Sequence, residues 1–192
     1  MEFREVLRRR RMVRTFEPRP VADEVLLRLL RAAQRGPSAG HSQPLELVVV
    51  RDPDIRRELA RASWSRGARP DAGAVTVVFC GDLSREAERY GARGATRYLD
   101  MDVSFAALLF MLAAVDEGLG AGLIGDFHEE HVQAALGLPP HVVPIALVIV
   151  GHPAEPPRPR PRRPLQEVVH HERYSPAHDW SSRRLPPRPE PG

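Results

Sequence analysis

Phe105-Ala106-Ala107-Leu108-Leu109-Phe110-Met111-Leu112-Ala113-Ala114-Val115 constrains this chain more than any other stretch. A helix over 102–119 would be apolar nearly all round, so it cannot lie on a surface with one side in water. It must be enclosed, either inside a core or between two subunits, and the second option implies a dimer. The stretch is too short to span a bilayer. Three further apolar runs, Leu45 to Val50, Val75 to Cys80 and Ile145 to Val150, have the length and continuity of interior strands.

Helices account for much of the remainder. Phe3, Val6 and Leu7 share one face of a short amphipathic helix over 2–10, and Glu17-Pro18-Arg19-Pro20 breaks the chain after it. Asp23 to Gln34 turns Val25, Leu26, Leu29, Leu30 and Ala33 inward and stops at Gly36-Pro37. Further helices are predicted over 54–62 and 129–136, and a glycine-rich turn over 118–125. Eleven of the twenty prolines lie beyond residue 152, which rules out continuous helix or interior strand there. An extended arm is expected, with a short strand or turn at Leu165 to His170. The organisation is one domain over 1–170 and a Pro/Arg-rich tail over 171–192.

At 192 residues, with 42% hydrophobic and 28% charged content, the chain suits one globular domain with a sizeable core. All 28 cationic residues are arginine, and the chain has neither lysine nor asparagine. That skew reflects genome composition first, and it also suits a thermophile. Against 25 acidic residues the net charge is only +3, so this is not a strongly basic protein. A single cysteine, Cys80, excludes an intrachain disulfide framework and makes a reducing cytoplasm the expected compartment.

Two polar segments carry the chemistry. Arg10-Arg11-Met12-Val13-Arg14 gathers three cations after the first helix. Gly36-Pro37-Ser38-Ala39-Gly40-His41-Ser42-Gln43-Pro44 is a turn of small residues bearing hydroxyl, imidazole and amide groups. Cations and accessible backbone N–H groups suit an anionic, polyol-bearing cofactor. Taken alone, the arginine run also fits a solvated helix face or a nucleic-acid patch, but no aromatic platform or reader module accompanies it. Gly120-Ala121-Gly122-Leu123-Ile124-Gly125 matches G-x-G-x-x-G. A long helix precedes it, however, and no acidic residue follows at the required offset, which argues against a dinucleotide fingerprint. A backbone that can approach a planar ligand is the better reading. His128-Glu129-Glu130-His131 lacks the H-E-x-x-H order of zinc hydrolases and reads as a solvated first helical turn, as His170-His171-Glu172 reads as surface. No catalytic triad or carboxylate pair can be placed, and no metal site is expected.

In these segments the chain resembles the nitroreductase superfamily of FMN-dependent oxidoreductases, over roughly residues 4–170. The family's R-R-S-x-R-x-F followed by Pro-Val is similar to Arg10-Arg11-Met12-Val13-Arg14-Thr15-Phe16 with Pro20-Val21. Its A-P-S-x-x-N-x-Q-P is similar to Gly36 through Pro44. Its long buried helix ending in G-L-G-x-x-x-I-G resembles the run closing at Gly118 to Gly125. Leu136-Gly137-Leu138-Pro139, the apolar strand before Gly151-His152-Pro153, and Arg160-Pro161-Arg162-Arg163-Pro164-Leu165 follow in family order.

The resemblance implies an α+β, three-layer fold with a mainly antiparallel central sheet flanked by helices, an extended C-terminal arm, and a homodimer with flavin sites at the interface. It implies FMN as cofactor and NAD(P)H as co-substrate. Hydride would pass through flavin N5 to an electron-poor acceptor such as a nitroaromatic or quinone, by ping-pong logic, with no catalytic side chain. Arg10, Arg11 and Arg14, at the positions flanking Met12, would hold phosphate, ribityl chain and pyrimidine edge, with Arg160 and Arg162 sharing the phosphate. Pro37, Ser38, Ala39, His41 and Gln43 would form the turn that reaches the partner's flavin. The backbone of Leu123, Ile124 and Gly125 would approach the ring system, and Arg66 and Arg69 align loosely with a further flavin contact. Met12 stands where the family has Ser, and His41 where it has Asn. These departures keep open a specialised flavin function or a non-redox role on the same fold, and a basic nucleic-acid or partner-binding module remains a third reading. The stretch Leu83 to Tyr98, where the family builds its substrate cover, is short here and implies an open pocket.

Overall fold

The computed structural model describes residues 1–64, 67, 69–156 and 161–174. The chain divides into two compact units, Met1–Arg158 and Pro159–Gly192. The first runs α1 (Phe3–Arg9), α2 (Asp23–Gln34), β1 (Leu45–Val50), α3 (Pro53–Ala62), β2 (Val75–Asp82), α4 (Leu83–Arg93), α5 (Leu99–Asp116), β3 (Gly120–Ile124), α6 (Glu129–Leu136) and β4 (Val142–Gly151). A 3-10 turn at Ala39–His41 leads into β1, and a π-helical turn at Gly94–Tyr98 joins α4 to α5. The described part of the second unit contains a 3-10 turn at Leu165–Glu167.

The four strands form one antiparallel sheet in the order β1-β2-β4-β3. Side chains alternate across it. Val75, Val77 and Phe79 of β2 and Ala146, Val148 and Val150 of β4 join one core cluster with α2 and α5. Val78, Cys80, Leu147 and Ile149 join a second cluster with Leu59 and Ala62 of α3 and Val132 of α6. Both faces of the central strands are therefore buried, which is why they read as unbroken apolar runs. The result is the expected α+β architecture of helix, sheet and helix layers.

Helix α5 divides its apolar surface. Val103, Ala106, Ala107, Phe110, Met111 and Ala114 face the first cluster, and Phe110 meets Phe79 edge-on at 5.5 Å between ring centroids. Met101, Phe105 and Leu108, at i, i+4 and i+7, remain 45%, 41% and 46% exposed. The helical stretch Leu83–Asp116 is long and apolar enough to cross a membrane by length and composition. In this fold its α5 portion is a core helix packed on α2 and the sheet.

Two expectations are corrected, at residues 120–124 and in α1. Residues 120–124 form a strand instead of a turn, because β4 supplies a full ladder to a segment with little strand propensity of its own. Gly120 is required there: an added Cβ would collide with Val13. Residues 83–98 are helical and π-helical, begun by Asp82, whose Oδ1 accepts from Ser84 N–H at 2.9 Å. In α1 only Val6 is buried, and Phe3 and Leu7 stay exposed.

Candidate cofactor site

The arginine segment lies along β3. Met12 forms a parallel bridge with Ala121, and the Val13 N–H donates to the Ala121 carbonyl at 3.0 Å. Just past β3, Ser63 bridges Phe127, Trp64 N–H donates to the Asp126 carbonyl at 3.1 Å, and His128 N–H donates to the Ala62 carbonyl at 2.8 Å. Between these two attachments, the backbone of 122–125 pairs only with β4 among the described residues. The attachments also approach each other, since an added Cβ on Gly67 would strike the Arg14 guanidinium. Arg14 thus lies against Gly67, and the two attachments flank the β3 backbone at either end.

Charge is distributed unequally along the arginine run. Arg8 Nε donates to Glu5 Oε2 at 2.8 Å, and Arg9 also pairs with Glu5, whose carboxyl these bonds hold down to about 2. Arg11 uses Nη1 to donate to the Arg10 carbonyl at 2.8 Å. Among the described residues, neither Arg11 nor Arg14 has a carboxylate partner. Two guanidiniums with no carboxylate partner among the described residues, in a segment that runs along β3, fit a phosphate-bearing ligand in charge and donor type. Met12, half exposed, occupies the Ser position without supplying a donor.

The 37–43 turn lies elsewhere. It precedes β1, so in this sheet order it sits at the edge opposite β3, about 14 Å away across three strand spacings. Gly40, His41 and Gln43 all have left-handed φ, at 52°, 62° and 52°. Ala39 N–H donates to Asp102 Oδ2 at 2.7 Å, and the Ser42 hydroxyl donates to Glu86 Oε1. Gln43 N–H donates to Ser38 Oγ at 3.1 Å, while the His41 Nε2 and Gln43 Nε2 atoms lie 3.0 Å apart. Glu86 is fully buried, and its carboxyl is pushed up by burial first and by the neighbouring Asp102 charge.

Of the remaining predicted residues, Arg69 donates two hydrogen bonds to the Asp71 carboxylate, at 3.0 and 2.9 Å, and so is not a free cation. Arg162 belongs to the second unit and is exposed; Arg66 and Arg160 lie outside the described residues. Sequence reasoning missed Trp64, Glu86 and Asp102. Trp64 is exposed and stacks edge-on against His128 at 4.0 Å. A signal for Asp102 was present: with Asp100 it is one of two acids at the head of a mostly apolar helix.

A model of the nitroreductase family matches residues 7–80 and 65–152, most of the first unit. The chain belongs to the nitroreductase family. It is 32% identical over 188 residues to an NADH dehydrogenase of Thermus thermophilus, covering 84% of this chain and 91% of that protein. It is 30% identical over 186 residues to an FMN reductase (NADPH) of Bacillus subtilis, covering 89% and 74%. Among solved structures, the NADPH:FMN oxidoreductase of Vibrio harveyi complexed with NAD+ superposes with a TM-score of 0.83 at 28% identity, covering 92% of this chain and 79% of that one. Nitroreductase membership makes the chain a nitroreductase-like oxidoreductase by kinship, and it accounts for the shared order of the arginine run, polar turn, long helix and glycine-rich strand.

Proposed function

We propose that this protein is an FMN-dependent oxidoreductase that takes reducing equivalents from NAD(P)H and delivers them to an electron-poor acceptor such as a nitroaromatic or quinone. The observation that carries the reading is the pair Arg11 and Arg14, which among the described residues have no carboxylate partner, in a segment that runs along β3. Relatives named FMN reductase (NADPH) and NADPH-flavin oxidoreductase support it. FMN, when bound, would supply the redox chemistry. The chain's own groups would bind and orient it. Arg10, Arg11 and Arg14 would hold the phosphate and ribityl chain, and the backbone at 123–125 would lie at the ring edge. An arginine near the pyrimidine edge would favour negative charge there.

The active unit is a cytoplasmic homodimer, and the flavin-binding part of the chain is 1–170, with 171–192 as a tail. Two observations favour the dimer. Met101, Phe105 and Leu108 leave an apolar stripe on α5, and Phe3 and Leu7 of α1 are exposed as well. The 37–43 turn and the β3 locus occupy opposite sheet edges, so a site using both draws them from two chains. The test is the absorbance of the purified protein: a flavin spectrum that NAD(P)H bleaches anaerobically is expected. A colourless protein that takes up no added FMN would overturn the reading.

A further inference from the structure

Three of the five residues at Ala39 to Gln43 hold left-handed backbone, and two of them are not glycine. Such conformations persist only where surrounding structure over-determines them. At Gly40 no side chain could be added without striking Arg89 and Tyr90. The turn's direct attachments to the body of the protein are few and specific: Ala39 N–H to Asp102 on α5, and the Ser42 hydroxyl to Glu86 on α4. Both acceptors are carboxyls, and both are buried.

Glu86 cannot be an ordinary carboxylate. It is fully enclosed, Oε1 is used by Ser42, and Oε2 is buried with no donor to accept from. The charged group acting on it is Asp102, another acid; the Arg89 and Tyr90 side chains lie at Gly40, and among the described residues no cation pairs with Glu86. Two carboxylate oxygens cannot bond each other, but a proton on Oε2 turns the repulsion into a donated hydrogen bond. With that proton every acceptor in the cluster has a donor.

We propose that Glu86 and Asp102 are positioning residues which, by sharing one proton, lock the 39–43 turn in the strained shape in which it meets the flavin of the partner subunit. The acid pair touches neither cofactor nor substrate and acts through the turn. Removing the shared proton leaves two buried negative charges facing each other and frees the turn. The direction of the Glu86 shift agrees: its proton is held above the ordinary carboxyl range, so the lock is complete at acid pH and weakens as pH rises through the folded-state value. The role of the lock in flavin binding rests on the proposed function, whereas the lock itself does not.

The test pairs two readouts on the full-length protein across a pH series: hydrogen-exchange protection of the 38–43 segment without FMN, and FMN dissociation constants from flavin fluorescence. Wild-type protection, corrected for intrinsic exchange at each pH, should fall by about tenfold or more as pH rises. E86Q, whose amide can donate to Asp102 and accept from Ser42 at every pH, should remove that dependence and keep the acid-side protection. FMN affinity should follow the same two patterns. Identical pH dependence of protection in wild type and E86Q would overturn the proposal, as would protection unchanged in both E86A and D102A when these fold. Loss of the dependence in E86Q in a protein that binds no FMN would uphold the lock and defeat only the flavin reading. FMN binding with a turn indifferent to Glu86 would do the reverse.

Discussion

Arg8 and Arg14 are six positions apart and differ in what surrounds them. Arg8 and Arg9 share Glu5 on the exposed face of α1, where ion pairs contribute little and are screened by salt. Arg14 faces Gly67 and has no carboxylate among the described residues. A guanidinium already beside a carboxylate gains less from a phosphate than an unpartnered one, because binding must first break an existing bond. Replacing Arg14 with Ala should therefore weaken FMN binding by about 1.5–3 kcal/mol, roughly tenfold or more, while R8A and R9A change it little. Flavin titration of the three variants checks this, and equal losses would contradict the assignment. Met12 and His41 illustrate the limit of residue-by-residue kinship. One supplies no donor at its position, and the other lies within 3.0 Å of Gln43 through its ring nitrogen.

At the scale of elements, α5 organises the molecule. Its inner face locks against the sheet through Phe110 on Phe79, both fully buried. Phe110→Ala should destabilise the protein by about 3–5 kcal/mol, transfer and cavity costs together, read from denaturant unfolding with an unchanged slope. A loss below about 1 kcal/mol would show that the site collapses around the smaller side chain. Elements with a strong period were legible. Helix α2, strand β1 and helix α6 match their predicted limits, since apolar spacing and terminators such as Gly36-Pro37 and Gly137 act locally. Strand β3 was not legible. Gly-Ala-Gly has no intrinsic preference for strand, and only pairing with β4, across an intervening helix, gives it one. The polar helix α4 was hidden for a different reason: Gly91, with a left-handed φ, interrupts it, only Glu86 on it is buried, and it begins at the Asp82 cap.

For the whole molecule, the decisive feature is what the single chain leaves uncovered. The exposed stripe of Met101, Phe105 and Leu108 on α5 is an apolar patch of the kind that marks association. Leu108→Arg should shift the protein from dimer to monomer in light scattering, with FMN affinity falling in parallel because the turn and the β3 locus would no longer meet. A variant that stays dimeric would place the interface elsewhere. The sequence by itself determined the apolar strands, the limits of the periodic helices and the position of the arginine run, because these follow from periodicity and local motif order, and the family resemblance implied the layered α+β fold. Only the tertiary structure separated Arg14 from Arg8 and Arg9, set the two polar motifs at opposite edges of one sheet, and buried Glu86 against Asp102. Each of those depends on contacts between residues far apart in the chain, where neighbouring sequence carries no record of which charge will meet a partner and which will not.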